Sequence, residues 1–419
     1  MRKPGCPLKV RAAAGVLLSA LVLFVAGTAQ AKLDTALCLA CHNASPPKAD
    51  QARRVSLHVN AKLFGSSVHA ALGCPACHSD ITSVPHKQPR QKVSCVVCHP
   101  TQNSAYSRSV HADGVRGKQV LPGCLDCHGN PHGILSARNP ESQVYPLNLP
   151  RTCGSCHGNP ELAKRYGFSD VYRLYMDSIH GFALTKDGLL VAAQCSSCHG
   201  SHEIRSRKDP TSRTARSNIP STCGSCHAGV KASYVEGVHG KALAAGKART
   251  PVCTNCHTAH RVSDVKTVAW QVDTVGTCGG CHRGRLRTYR DTFHGQVTGL
   301  GFSETARCWS CHGSHRILPA SDPKSSVAPA NLQATCGTCH TGASASFVSY
   351  QPHADPHDKH LNPTLYYAAL FMNLLMASVF TFFGIHTLLW LSRSLFDRAA
   401  TNSHRGSGGP SGSRARKIS

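Results

Sequence analysis

Apolar residues gather at the two ends of this chain. Ala12 to Ala26 is an apolar run preceded by Arg2, Lys3, Lys9 and Arg11 and followed by Ala29-Gln30-Ala31. Basic, then apolar, then small-x-small is the order of a secretory signal, which is expected over residues 1–31, with an uncleaved anchor as the alternative. Near the other end, Leu365 to Leu391 is almost wholly apolar. A bilayer takes about 20 such residues, so a transmembrane helix is predicted over 363–392, against the alternative of a buried core helix. Arg393, Arg398, Arg405, Arg414, Arg416 and Lys417 follow it, with Asp397 the only acid. The positive-inside rule makes residues 393–419 a basic cytoplasmic tail and leaves the preceding chain outside. From Thr401 onward the tail is rich in Gly, Ser and Arg, and disorder is expected there.

Residues 32–362 look different. The 419-residue chain has 12 Phe and 3 Trp but 23 Cys and 27 His. A soluble stretch of this length is ordinarily built on aliphatic and aromatic side chains, so something else is expected to fill much of its core. Abundant cysteine points either to disulfides or to metal ligation. Spacing separates the two.

Twenty-two of the 23 cysteines form eleven C-x-x-C pairs, and His follows every pair. The sites are Cys38/Cys41/His42, Cys74/Cys77/His78, Cys95/Cys98/His99, Cys124/Cys127/His128, Cys153/Cys156/His157 and Cys195/Cys198/His199. The rest are Cys223/Cys226/His227, Cys253/Cys256/His257, Cys278/Cys281/His282, Cys308/Cys311/His312 and Cys336/Cys339/His340. C-x-x-C-H is the attachment signature of haem c. Two thiols add to the vinyl groups on one porphyrin edge, and the next residue sets an imidazole under the iron. A zinc ribbon needs no His at that position, and a disulfide framework needs none either. Eleven covalent haems, and their iron, are therefore expected. The unpaired Cys6 lies in the basic part of the signal, a poor lipoprotein site, and is expected to leave with it.

The sites are organised as repeats. After the lone first site, ten form five two-haem units, with leading sites at Cys74, Cys124, Cys195, Cys253 and Cys308 and trailing sites at Cys95, Cys153, Cys223, Cys278 and Cys336. Each unit opens with a short polar helix predicted to end in His69, His111, His180, His239 or His294, with an aromatic five residues earlier: Phe64, Tyr106, Tyr175, Tyr234 or Tyr289. Gly follows the last three of these histidines, as at a helix stop. A second extra His comes after each leading site: His86, His132, His202, His260 and His315. His353 reads as the opener of a truncated sixth unit. These eleven extra histidines equal the attachment sites in number, so every iron is expected to have a second imidazole. A His three or four residues past a proximal His cannot reach the far face of the same porphyrin, and is expected to serve a neighbouring haem. His58, His357 and His360 are spare, and His58 competes with His353 as partner of the first haem.

With about 30 residues per haem, the fold class expected is mostly irregular chain with short α-helices packed around haems, little or no sheet, and one C-terminal transmembrane helix. The formal charge of +25 does not argue for nucleic acid, because each haem brings a pair of propionates. A basic patch for an acidic partner stays open. Outside the signal and the span only Met176 is available, which largely excludes Met/His ligation and favours low potentials.

The doubled C-x-x-C-H units, with G-x-H after the leading site, resemble the multihaem cytochromes c that include tetra- and octahaem periplasmic carriers, over residues 38–340. The segment Asn362-Pro363-Thr364-Leu365-Tyr366-Tyr367 and the stretch Phe382 to Trp390 resemble the anchor of cytochromes c that work with a dihaem cytochrome b. That resemblance implies quinone-linked electron transfer, with a cytochrome b-type or other quinone-reactive membrane subunit and periplasmic redox carriers as partners. His386, inside the span, is either a ligand or quinone-side residue or a helix-packing one. Two functions stand: an electron relay, and a multihaem oxidoreductase of small nitrogen or sulfur compounds. The second needs an open iron, and no C-x-x-C-K site is present.

Overall fold

The structure is a computed structural model that describes residues 33–43, 49–50, 55–86, 91–113 and 122–406. The expected signal over 1–31 and the end of the tail, 407–419, lie outside the described residues. The described chain is helical, and its helices are short apart from the last. Helix takes a larger share than a mostly irregular chain would give. The only sheet among the described residues is a two-residue antiparallel pair, Ala49–Asp50 with Val55–Ser56.

The chain forms two compact units. The first holds the described residues up to Cys98 together with Gly129–Ser136, and the second holds His99–His128 and the described chain from Ala137 onward. In the first, helix Thr35–His42 starts on the Asp34 side chain, and helix Ala61–Gly65 on that of Asn60.

In the second unit one pattern recurs, and it corrects the sequence reading. The opener histidines do not end a helix. His180, His239 and His294 stand near the start of new helices, Ile179–Thr185, Val238–Ala244 and Phe293–Gly299. Ser178 Oγ accepts from Gly181 N at 3.0 Å, and Thr292 Oγ1 from Gly295 N at 3.1 Å, which are N-caps. The glycines are not stops either. A Cβ on Gly181, Gly240 or Gly295 would run into the carbonyl oxygen of Tyr175, Tyr234 or Tyr289. They let the new helix pack against the end of the preceding one.

Four of the five openers, those of His69, His111, His180 and His239, are tied to the following repeat by a backbone hydrogen bond. Val68 N donates to Ile134 O at 2.9 Å, and Val110, Ile179 and Val238 donate to Ile204, Val262 and Ile317, each at 2.8 Å. Each acceptor lies two residues past an extra His. The opener of one repeat and the second His of the next are thus neighbours.

The apolar core is thin. The buried hydrophobic residues are Phe64, Leu184, Ala215, Ile219, Tyr234, Val252, Val275, Tyr289, Leu318 and Ala328, and buried Ser and Thr are as prominent. Side chains of this kind do not hold together a described chain of this length by themselves.

The last element is the helix Pro363–Gly406, 44 residues long. Its stretch Pro363–Ala400 contains an 18-residue window of mean hydropathy 2.0, none of it buried, and is long and apolar enough to cross a membrane. The helix continues past 392 through Arg393 and Arg398 to Gly406, where the sequence reading placed a tail that turns disordered from Thr401. Alanine and arginine are strong helix formers, and nothing between 393 and 400 breaks the turn.

Candidate cofactor-binding sites

The last four leading sites are five-residue helices, Cys124–His128, Cys195–His199, Cys253–His257 and Cys308–His312, whereas the first is the short turn Cys74–Ala76. A residue with positive φ follows each helix: Gly129 at 82°, Gly200 at 81°, Thr258 at 62° and Gly313 at 73°. That turn sends the chain away from its own attachment site, so the next His points elsewhere. Thr258 pays for the geometry, since a β-branched residue with φ 62° and ψ −177° sits where glycine is at ease. Tyrosine hydroxyls bind the same sites from the other side. Tyr106, Tyr175, Tyr234 and Tyr289 donate to the carbonyls of Pro122, Ala193, Pro251 and Ala306 at 2.6, 3.0, 2.8 and 2.9 Å. The sequence shows the aromatic period but not this role.

Three trailing sites share a bracket of side-chain hydrogen bonds. Asn148 Nδ2 donates to Pro140 O and Ser142 O, Asn218 to Pro210 O and Ser212 O, and Asn331 to Pro323 O and Ser325 O. Thr152, Thr222 and Thr335, each just before the first cysteine, donate to Gln143 O, Arg213 O and Ser326 O. Pro, Ser, Asn and Thr recur at fixed distances ahead of Cys153, Cys223 and Cys336, a signal readable in the sequence.

The histidines meet in pairs. His42 faces His86 with ring centres 6.1 Å apart, His78 faces His132 at 6.2 Å, and His128 faces His202 at 6.1 Å. His199 faces His260 at 6.0 Å, His257 faces His315 at 6.0 Å, and His312 faces His353 at 6.2 Å. The opener histidines meet trailing sites: His111 with His157 at 6.2 Å, His180 with His227 at 6.2 Å, His239 with His282 at 6.3 Å and His294 with His340 at 6.0 Å. In every pair one ring belongs to a C-x-x-C-H site and the other does not.

The separation is chemically specific. Metal–nitrogen bonds of about 2 Å, with roughly 1 Å more to each ring centre, put two imidazoles on opposite sides of one ion about 6 Å apart. Rings in direct van der Waals stacking lie closer. The donor set also fits: burial, and then the facing imidazole, lowers the pKa of His111, His128, His180 and His239, so their rings are neutral and carry a free lone pair. His42 Nδ1 lies 2.8 Å from Leu57 O, and His353 Nδ1 lies 3.0 Å from Thr288 Oγ1, leaving Nε2 as the free nitrogen of each ring.

The pairing differs from the sequence reading in two places. His86 faces the first site, where His58 or His353 was expected. His353 completes the leading site of the fifth unit instead of opening a sixth. Each second His after a leading site faces a site earlier in the chain, and the hydrogen bond between repeats holds His132, His202, His260 and His315 there. His69, in the first unit, caps the turn Ala70–Leu72, and His99, in the second, caps helix Pro100–Ser107. His357 and His360 line a cleft of about 480 Å³ with Arg287, Asp355, Asp358, Lys359 and Tyr366. His386 is exposed on the long helix.

The cysteines bring successive sites together. Cys153 lies beside Cys195, Cys223 beside Cys253, and Cys278 beside Cys308, each joining a trailing site to the next leading one. Cys38 lies beside Cys74 in the same way in the first unit. Burial raises the thiols of Cys127, Cys198, Cys256 and Cys311, and so, less strongly, do Cys156, Cys226, Cys281 and Cys339 of the neighbouring trailing sites. The sites from Cys124 to Cys339 therefore form one unbroken series.

Cys41 and Cys77 are exposed, as are the second cysteines Cys198, Cys226, Cys256, Cys281 and Cys339, whereas Cys38 and Cys74, the partners of Cys41 and Cys77, are half-buried. The short elements that carry them explain the difference. Helix Thr35–His42 and the turn Cys74–Ala76 contain no buried residue. They meet through their first cysteines and through Thr35 Oγ1, which accepts from Cys74 N at 3.3 Å. Three residues on, the chain has turned the second thiol of each pair outward. The structure thus brings Cys38 and Cys74 together but leaves Cys41 and Cys77 apart from that contact.

No family model, no curated protein and no solved structure matches the chain.

Proposed function

We propose that this chain binds eleven haem c groups covalently, holds their irons between paired imidazoles, and relays electrons from a membrane anchor. The observation that carries the reading is the set of ten histidine pairs at 6.0–6.3 Å, each joining a C-x-x-C-H histidine to a second one. In this reading the cysteines form the thioether bonds, the following His is the proximal ligand and the facing His the distal one. Cys41 and Cys77 are attachment residues by their places in the motif, and His69 and His99 are ligands by their places in the repeat. Bound haem iron supplies a one-electron couple that makes and breaks no bonds. The chain's part is spacing: the contacts between cysteines of successive sites keep attachment edges together, and tunnelling falls steeply with edge separation.

Helix Pro363–Ala400 anchors the chain in the cytoplasmic membrane, with the basic residues after it inside and the haem sites on the periplasmic face. One helix cannot by itself enclose a quinone pocket. A cytochrome b-type or other quinone-reactive subunit is therefore the membrane partner, and periplasmic carriers take or give electrons at the far end. Electrons pass between the site at His340, next to the span in sequence, and the site at His42.

The test is to purify the protein from its own membrane in mild detergent, count haem as the pyridine haemochrome, and add a reduced quinol analogue. The reading expects eleven low-spin haems, reduced by quinol only when a b-type component co-purifies. Absence of covalent haem would end it. A stoichiometric high-spin iron would transfer the protein to the oxidoreductases of small nitrogen or sulfur compounds.

A further inference from the structure

The facing rings differ in orientation according to the element that delivers the second imidazole. Where it comes from the loop after a leading site, as His86, His132, His202, His260 and His315 do, the planes are 7°, 25°, 9°, 7° and 22° apart. Where it comes from an opener, as His111, His180, His239 and His294 do, they are 48°, 41°, 38° and 48° apart. The two sets do not overlap. His353, delivered by the segment ahead of the long helix, stands between them at 30°.

The cause lies in the backbone. An opener His is placed by a helix start, and its Cα–Cβ direction follows the axis of that helix. The axis is held by the caps at Ser178 and Thr292 and by the close approach at Gly181, Gly240 and Gly295. A loop His has no helix axis to follow. His132, His202, His260 and His315 each follow a positive-φ residue, and their neighbourhoods are held by the backbone bond from the preceding opener.

We propose that the opener segments are positioning elements that hold the second imidazole turned against the first, dividing the haem sites into two electronic classes. The classes alternate along the chain: the sites at His128, His199 and His257 are near-parallel, and those at His157, His227, His282 and His340 are turned. The proposal rests on the haem reading above. Each imidazole donates π density from the orbital perpendicular to its ring into the iron d orbitals of matching symmetry. Parallel rings act on the same d orbital and split the pair widely. Turned rings spread the donation over both orbitals and split them less. Ligand orientation thus becomes a lever on the iron, alongside ligand identity and the hydrogen bonds around it. The residues that exert it are Ser178, Thr292 and the three glycines, none of which touches the metal.

Electron paramagnetic resonance of the oxidised, detergent-solubilised protein reads the splitting directly. The expected result is two low-spin populations, one with a rhombic signal and the other with its largest g value shifted upward and broadened. Ser178→Ala, which removes a cap, and Gly240→Ala, which pushes a helix start off Tyr234, are each expected to shift one component of the second population and none of the first. Haem count and visible spectrum stay unchanged in both variants. If Gly240→Ala does not accumulate, the wild-type spectrum and Ser178→Ala decide. A full complement of low-spin haems with a single class of signal, or a Ser178→Ala spectrum identical to wild type, would overturn this proposal alone. Missing covalent haem or high-spin iron would instead overturn the reading it rests on.

Discussion

The repeat region and the long C-terminal helix hold their shapes by opposite means. In Pro363–Ala400 every backbone bond lies inside one element, and the apolar side chains face outward with none buried. Lipid completes it. In the stretch from Cys124 to His353 the elements are only one to three turns long, the buried side chains are as often Ser or Thr as aliphatic, and helices meet through single hydrogen bonds. Helices that short are marginal alone. What is common to its repeats is the facing histidines and adjoining cysteines. In the reading proposed above, ligation takes the place of a hydrophobic core, so that one region depends on its solvent and the other on its cofactor.

The largest effect that separates the two regions is withholding haem. Expressed without haem attachment, the repeat region is expected to lose its protease resistance and tertiary signals completely, as small metal-dependent domains do. Helix 363–406 remains membrane-inserted and protected. A repeat region that stays folded without haem would erase the contrast.

A smaller effect sharpens it from within the repeats. Thr258 occupies backbone space that Gly129, Gly200 and Gly313 occupy at the matching positions. Thr258→Gly is expected to stabilise the repeat region against denaturant by about 1–3 kcal/mol, the cost of a non-glycine residue there. The reverse change, Gly200→Thr, is expected to cost a similar amount, and neither alters the insertion of the helix. Equal stability in all three proteins would remove the strain argument.

The smallest effect is with pH. Glu203 is held down to about 2 by hydrogen bonds first from Arg108 and then from Arg205, and so links two repeats. A carboxylate whose folded pKa is depressed stabilises fully above its ordinary value and loses that contribution as pH falls through the folded pKa. The melting temperature of the repeats is therefore expected to fall between pH 4.5 and about 2, and to fall less in Glu203→Gln. Arg108 is exposed and Glu203 is half-exposed, so the difference is small and shrinks with salt.

The C-x-x-C-H sites and the second histidines were legible in the sequence because the motif sets residue types at fixed spacing, and the long apolar helix because apolar length is a one-dimensional property. What the chain could not disclose was which imidazole faces which. His86 lies beyond Cys74/Cys77/His78 in sequence yet faces His42, and His353 faces His312, because pairing follows from how one repeat hooks onto the next through bonds such as Ile179 N to Val262 O. The glycines after the opener histidines read as stops for a similar reason. Only a neighbouring carbonyl in space shows that Gly181 is needed for contact. Spacing was equally silent on exposure, since the motif that half-buries Cys38 and Cys74 leaves Cys41 and Cys77 on the outside.

The central claim is that each loop histidine serves the repeat before its own, and the spin state of His260→Ala tests it most directly. The account predicts one high-spin iron, at the site of His199. That signal is expected to disappear when Cys195 and Cys198 are also replaced by Ser, and to persist when Cys253 and Cys256 are replaced instead. A signal that follows Cys253 and Cys256, or irons that all stay low-spin in His260→Ala, would contradict it.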